Sequence, residues 1–344
     1  MAEVTIVVPI YKVEKYLRAC FESLLKQTSD EYTVLAINDG SPDNCEEIIK
    51  EYCAKYPEKI KGIKKPNGGY GSVLQVALKE IKTPYFLVCD PDDTLEEDAV
   101  DTLLNMAKIS GADITFGAKT FVYEDSKDRD YDLAYNKEFV TLQTNTVYKN
   151  TTKEFDDLFF IDPSPHAKLY RTDIARNIKF PEKVGYTDNL LFYISLLNSK
   201  KVIYTDKALA NYLVNRTGNT MTDVSYKAMN GQILVFKTIL TQAEKLTNVR
   251  DIFYYRMFES YKFMLYQSRR MNCTVEEYET ALNYLGTFVE KLCAHEKAIK
   301  PLYKKYTKCS FIERMKDEAL MNAKQFNFTY RHIVKKMVAE FSKK

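Results

Sequence analysis

The stretch Tyr85-Phe86-Leu87-Val88-Cys89-Asp90-Pro91-Asp92-Asp93 decides how this chain is read. Its first five residues form a short apolar run, the kind that fills a central strand covered on both faces. Pro91 stops the strand and turns the chain. Asp90, Asp92 and Asp93 then crowd the strand's carboxyl end, where open α/β sheets hold their ligands. Three carboxylates within four residues repel one another unless a cation sits among them. Hard oxygen donors suit Mg2+ or Mn2+, and Mg2+ commonly joins one or two carboxylates to a substrate's phosphates. A metal–diphosphate site is therefore one reading. An acidic turn capping a helix that starts near Glu96 is the other.

The sequence on either side supplies the frame. Residues 4–8 predict a buried strand ended by Pro9. Leu17, Cys20, Phe21, Leu24 and Leu25 recur at helical spacing, which predicts an amphipathic helix over 14–27. Strands are predicted at 33–37 and 60–63, with helices at 45–56 and 72–81. Between them lie a turn-forming cluster, Asn38-Asp39-Gly40-Ser41-Pro42-Asp43, and a glycine loop, Asn67-Gly68-Gly69-Tyr70-Gly71. Strand–helix alternation of this kind predicts an α/β fold with a central, mostly parallel sheet and right-handed crossovers. A helix over 96–109 and a strand over 113–121 extend it. Residues 123–165 read as irregular, with the charged stretch 125–132 expected to be a loop or lid. Strands are expected at 166–170 and 202–204, flanking a helix over 188–197. From 224 onward only helices are expected, at 233–243, 252–267, 275–293 and 312–321. A last helix over 331–344 sets Ile333, Val334, Met337, Val338 and Phe341 on one face and lysines on the other. The expected division is 1–223 and 224–344.

Charge follows the same division. Residues 225–344 hold 22 Lys and Arg against 12 Asp and Glu, a net +10; with +3 overall, the first 224 residues carry −7. An acidic front and a basic tail suggest two functional surfaces. No apolar run approaches the ~18 residues of a membrane span. The run at 4–10 is too short for the apolar core of a signal peptide. The seven cysteines are scattered without zinc-ligand spacing, and an odd count without an export signal points to a reducing cytoplasm.

The loops choose among nucleotide folds. A dinucleotide fold requires G-x-G-x-x-G after the first strand, where this chain has Pro9-Ile10-Tyr11-Lys12. A phosphate loop requires G-x-x-x-x-G-K-[ST], and Gly68 to Ser72 contains no lysine. What the chain does have is Thr5-Ile-Val-Val-Pro-Ile-Tyr, Asn38-Asp-Gly-Ser-Pro-Asp, Asn67-Gly-Gly and Asp90-Pro-Asp-Asp, each at a strand end and in this order. Together these resemble the successive signatures of bacterial-type, non-processive family 2 glycosyltransferases with the GT-A fold. The resemblance covers residues 3–220.

The resemblance implies transfer of a single sugar from a nucleotide-sugar donor, UDP-linked, with inversion. It implies that Asp39 accepts a hydrogen bond from the base, and that Pro9 and Tyr11 flank that base; Tyr11 is otherwise a surface tyrosine. Asn67 and Gly68 would bring backbone to the donor. Asp90 and Asp92 would carry the ribose and the bridging Mn2+ or Mg2+. Asp93 would touch the sugar or cap the next helix. His166 opens His166-Ala-Lys-Leu-Tyr, which is similar to the family's Lys-Leu-Tyr strand, and would reach the diphosphate or acceptor. Arg216, in Asn215-Arg-Thr-Gly-Asn-Thr-Met-Thr, would cover the diphosphate with its planar fork. Family members usually carry a Glu-Asp pair at a helix start; here Thr187-Asp188 stands there. Asp188 is the candidate base for the acceptor hydroxyl, and the missing glutamate puts the acceptor in question.

Processive members carry a Gln-x-x-Arg-Trp motif, and this chain has no tryptophan. Two rivals remain: a non-catalytic sugar-nucleotide or glycan-binding module, and a sugar-phosphate nucleotidyltransferase. The latter usually has a glycine-rich basic loop after its first strand, unlike residues 9–15. The expected acceptor is a glycan, lipid-linked or polymer hydroxyl in cell-surface polysaccharide synthesis. The basic tail is expected to touch an anionic membrane through 331–344, to pack on the catalytic part, or to form a homodimer. Nucleic acid is not an expected partner, because no recognition module accompanies the basic residues.

Overall fold

The computed structural model describes residues 2–216 and 223–343. The chain divides into two compact units, Met1–Asn219 and Thr220–Lys344.

In the first unit, β1 (Val4–Ile10) leads to α1 (Glu14–Leu25), β2 (Tyr32–Asn38), α2 (Cys45–Lys55), β3 (Ile60–Lys64), α3 (Tyr70–Glu80) and β4 (Tyr85–Val88). β1 pairs in parallel with both β2 and β4, and β2 with β3. Every residue of β1 is buried, as a strand covered on both faces demands. α1 lays Leu17, Cys20, Phe21 and Leu24 onto the sheet, each such burial stabilising by roughly 1.5–3 kcal/mol.

Beyond β4 the structure departs from a simple alternation. β5 (Thr94–Leu95) precedes α4 (Ala99–Ser110), so the helix begins three residues later than predicted. Glu96 is held to the sheet by its N–H to Leu209 O and by Gln27 Nε2 on its carbonyl. β6 (Ile114–Tyr123), β7 (Arg129–Asp132) and β8 (Val147–Lys149) follow, then a 3-10 helix at Lys153–Phe160. The stretch expected to be a loop or lid is therefore half strand: β7 pairs antiparallel with β6. Likewise 123–165 contains two short strands and a helical turn, which irregular polar sequence concealed.

β9 (Lys168–Arg171), α5 (Thr172–Ala175), α6 (Thr187–Asn198) and β10 (Lys201–Val214) complete the unit. The sheet has ten strands, with main order β3-β2-β1-β4-β9-β6-β10-β5. β9 enters antiparallel between β4 and β6. β10 is 14 residues long, far beyond the predicted 202–204, and runs parallel to β6 through an irregularity at 205–210. That length carries Tyr212 and Leu213 to the carboxyl edge of β4.

The second unit is wholly helical among its described residues: α7 (Tyr226–Ala243), α8 (Asp251–Ser268), α9 (Val275–Leu292), α10 (Glu296–Tyr306), α11 (Phe311–Met321) and α12 (Ala323–Phe341), with a 3-10 turn at Cys293–His295. Capping boxes at Thr274/Glu277 and Ser310/Glu313 start α9 and α11. α10 was not predicted, because Pro301 and its lysines masked its pattern. The core holds Phe258, Tyr261, Tyr278, Phe288 and Tyr303. Among the described residues no helix is long and apolar enough to cross a membrane.

Candidate active site

The site lies at the carboxyl ends of β1, β2 and β4. Asp39 follows β2 directly and is 2% exposed. Its carboxylate accepts from the backbone N–H of Gly68 (2.9 Å) and Gly69 (2.7 Å) and from Asn67 Nδ2 (3.2 Å), and it is ion-paired with Lys65. Four donors fill the four lone-pair positions of the carboxylate. A base N–H reaching Asp39, as expected, would share or exchange one of these donors. The fold uses this aspartate to pin the glycine loop, bringing Asn67 and Gly68 beside β2.

Gly69 has φ +82°, and a side chain there would stand 3.1 Å from the Lys183 backbone. A Cβ on Gly71 would meet Pro181 O at 2.7 Å and Thr187 Cγ2 at 3.0 Å. Lys183 N donates to Gly68 O at 2.6 Å. The glycines thus let segment 180–187 lie directly on the loop, and this contact sets where α6 begins. Thr187, where the resemblance leads one to expect glutamate, is wholly buried with an unpartnered hydroxyl. Asp188 is in the first turn of α6 without being its cap, since that place belongs to Tyr186. Burial pushes the Asp188 carboxyl up to about 6, against hydrogen bonds from the Asn189 N–H and amide.

The carboxylates after β4 form a turn, with Asp93 N donating to Asp90 O at 3.0 Å. That turn brings its two ends together, so the group that could hold an ion is Asp90, Asp93 and His166, whose ligand atoms lie within 4.8 Å of one another. Of the expected Asp90/Asp92 pair, Asp90 is in this group and Asp92 lies beside it. Asp92, at the turn's shoulder, is ion-paired with Arg216, although its charge still acts on both neighbours. Arg216 also stands over the Tyr16 ring at 5.5 Å. The remainder of its expected loop, 217–222, is outside the described residues.

Asp93 does not cap α4; Asp98 occupies that position. Asp93 is buried, accepts from Leu213 N at 2.7 Å and lies 2.7 Å from His166 Nε2. Asp90 accepts from the Tyr70 hydroxyl at 2.7 Å. Burial, then the neighbouring carboxylates, pushes Asp90 up to about 8 and Asp93 well above the usual carboxylate range. Burial, aided by the charge of Lys119, pulls His166 down to about 4, so its ring is neutral at physiological pH. A neutral ring has one bare nitrogen lone pair; Nε2 faces Asp93, and the buried Nδ1 has no hydrogen-bond partner. A divalent cation fits these residues. Carboxylate oxygens and a neutral imidazole are its ordinary donors, and two positive charges would offset the burial and mutual repulsion that raise Asp90 and Asp93.

Sequence reasoning missed the layer beneath. Lys119 on β6 is ion-paired with Asp162 and donates to Ser164 Oγ at 3.1 Å; it is 2% exposed. Lys168 on β9 donates to Ser164 O at 2.6 Å, and burial pulls it down to about 7. Burial alone would raise Asp162, but the two ammonium groups outweigh it and hold it well below the usual range. The His166 ring lies 4.2 Å from that of Tyr212, centroid to centroid. Alternating lysines in strand-like sequence gave no sign of this, because half-exposed strands show the same pattern. Tyr70 was missed as well; its hydroxyl donates to Asp90, and its charge environment includes both Asp90 and Asp188. Of the remaining expected residues, Pro9 is buried in β1 beside Ile37, and Tyr11 is 41% exposed at the turn beyond it.

Comparisons with known proteins bear on the family and the fold. The profile described as Glycosyl transferase family 2 matches residues 5–179. Glycosyltransferase GlyA of Streptococcus pneumoniae is 30% identical over 220 residues, covering 62% of this chain and 31% of GlyA. Minor teichoic acid biosynthesis protein GgaB of Bacillus subtilis is 29% identical, covering 63% of this chain and 23% of GgaB. The chain thus spans a third or less of the length of these two relatives. The crystal structure of S. aureus TarS 1-349 in complex with UDP-GlcNAc superposes with a TM-score of 0.67 at 20% identity, covering 95% of this chain and 92% of the other. That likeness shows a shared GT-A-type fold. With the ordered strand-end signatures, the glycine loop on Asp39 and a profile match over half its length, this chain belongs to glycosyl transferase family 2.

Proposed function

We propose that this chain transfers one sugar from a UDP-sugar donor to an acceptor hydroxyl of a cell-surface glycan or teichoic-acid-like polymer, with inversion. The observation that carries it is the Asp90/Asp93/His166 cluster at the carboxyl end of β4, with Asp90 hydrogen-bonded to Tyr70 at the start of α3. The donor class is supported by the TarS complex with UDP-GlcNAc, and the acceptor class by the name of GgaB.

Residues 1–223 would carry the reaction. Asp90, Asp93 and His166, with Asp92 at their edge, would hold Mn2+ or Mg2+, and an ion so held supplies counter-charge for a leaving nucleoside diphosphate. Asp39 fixes the 67–69 loop and so keeps backbone close to the donor. Arg216 is within reach of the same carboxylates and can exchange Asp92 for phosphate oxygens of a bound donor. Asp188 takes the proton from the acceptor hydroxyl as its oxygen bonds to the sugar's anomeric carbon and the bond to the diphosphate breaks. Attack from the face opposite the leaving group inverts that carbon.

The test is UDP release from UDP-GlcNAc and other UDP-sugars with Mn2+, Mg2+ or EDTA. Water serves as acceptor where the natural one is absent. Turnover should require the metal and rise with pH through about 6, as the buried Asp188 ionises. Asp188→Asn should remove that rise and cost on the order of a hundredfold or more in rate. A chain that binds UDP-sugars but releases no UDP under any condition would be a binding module instead.

A further inference from the structure

We propose that the second unit docks on an anionic lipid surface through α11 and the adjoining part of α12, and not through the apolar face of 331–344. The terminal segment was the expected contact, but its apolar side chains serve the unit's own fold. Val334 and Met337 are buried, and Phe341 stacks on Tyr278 at 4.1 Å. The same helix buries Phe326 and Tyr330 upstream. Ile333 and Val338 are half-buried, so none of the described apolar residues on that face is fully exposed.

Apolar side chains are exposed elsewhere. Phe311, Ile312 and Met315, on adjoining turns of α11, are 74%, 66% and 58% exposed, and Phe328 on α12 is 82% exposed. α11 and α12 pack against each other. Four large apolar side chains left in water on one helical pair have no role in the unit's core. Beside Phe328 opens a cavity of about 410 Å3 lined by Asn327, Phe328, Arg331, His332 and Lys335. It combines an aromatic wall with two fixed positive charges, which suits a phosphate headgroup whose acyl chains lie alongside.

Charge identifies the occupant. Residues 304–336 hold nine Lys and Arg against three Asp and Glu. All three acids are engaged: Glu313 caps α11, Asp317 pairs with Lys262 and the Tyr303 hydroxyl, and Glu318 lies 3.8 Å from Lys304. Lys308, Lys316, Lys324, Arg331 and Lys335 are exposed in the same stretch, and Arg331 and Lys335 line the cavity beside Phe328. A second copy would bring the same positive field to this face and be repelled. An anionic leaflet attracts the lysines while its acyl region takes the apolar side chains. A nucleic acid would satisfy the charge but gives Ile312 and Met315 nothing to enter.

The test is co-sedimentation of the full chain with vesicles of phosphatidylcholine alone or mixed with phosphatidylglycerol, at low and high salt. Binding should require the anionic lipid and weaken with salt. It should fall about tenfold or more both in Phe311→Ser/Ile312→Ser/Met315→Ser/Phe328→Ser and in Arg331→Glu/Lys335→Glu. A melting curve checks that each variant folds. Because the chain has no tryptophan, Phe328→Trp supplies an independent reporter, whose emission should shift to the blue on anionic vesicles. Failure of the full chain to bind, equal binding by the serine variant, or no shift from Phe328→Trp would overturn the proposal. So would duplex DNA that displaces vesicles and binds the serine variant undiminished, which would assign the face to nucleic acid.

Discussion

At the scale of single residues, Asp39 is where the structure adds most to the sequence. The resemblance makes it a contact for the base, yet its four hydrogen-bonding positions are all taken by Lys65 and the 67–69 loop. In the structure it anchors that loop, and under the proposed function the donor site depends on it through the loop. Asp39→Asn would leave the Lys65 ammonium, itself largely buried, without a counter-charge. Breaking a buried pair from one side costs roughly 3–5 kcal/mol. The expected outcome in thermal or urea unfolding is a loss of that order, partly restored in Asp39→Asn/Lys65→Met. An unchanged midpoint in the single variant would show that the pair contributes nothing. Both variants should bind UDP more weakly, because neither holds the glycine loop in place.

At the scale of elements, the contact between the α3 amino terminus and segment 180–187 matters most. β4 and α6 contribute the two candidate centres. Gly71 is the point of closest approach, and a methyl group there would press on the Pro181 carbonyl. A backbone atom cannot rotate away as a side chain can. Gly71→Ala should therefore move 180–187, and Asp188 with it. Overpacking of this kind costs about 1–3 kcal/mol, while a displacement near 1 Å can cost about a hundredfold in rate. The signature to look for is a UDP-release rate reduced far more than stability. Equal, small effects on both would mean that the segment adapts without moving the aspartate.

For the whole molecule, the buried carboxylates tie folding to pH and to metal. Asp90 is pushed up to about 8 from an ordinary value of 3.8, chiefly by burial. Between those values the folded chain keeps a proton that the unfolded chain has released. Stability contributed by this group must then fall as pH rises from about 4 to about 8. Divalent cations compete with that proton, so their stabilisation should grow over the same interval. Melting curves from pH 5 to 8 should diverge with and without Mn2+, the metal-free form declining and the metal-bound form holding. Parallel curves would place the ion away from Asp90.

The sequence by itself determined the strand–helix alternation from β1 to β4, the loops at their carboxyl ends and the helical character of the second unit. Apolar periodicity, turn residues and composition are local, and each fixes its own few residues. Tertiary structure alone decided that β9 inserts antiparallel between β4 and β6, since pairing partners are chosen by the packed sheet and leave no mark on a four-residue strand. It decided that Asp93 and His166, 73 positions apart, meet at 2.7 Å beside Asp90, because a turn's hydrogen bond sets which carboxylates come together. It also decided that Lys119, Asp162 and Lys168 compensate one another's charge beneath the site. Finally, it turned the apolar face of 331–344 inward and left that of α11 in water. Amphipathic helices read alike in sequence, and only the packing of their neighbours determines which face is covered.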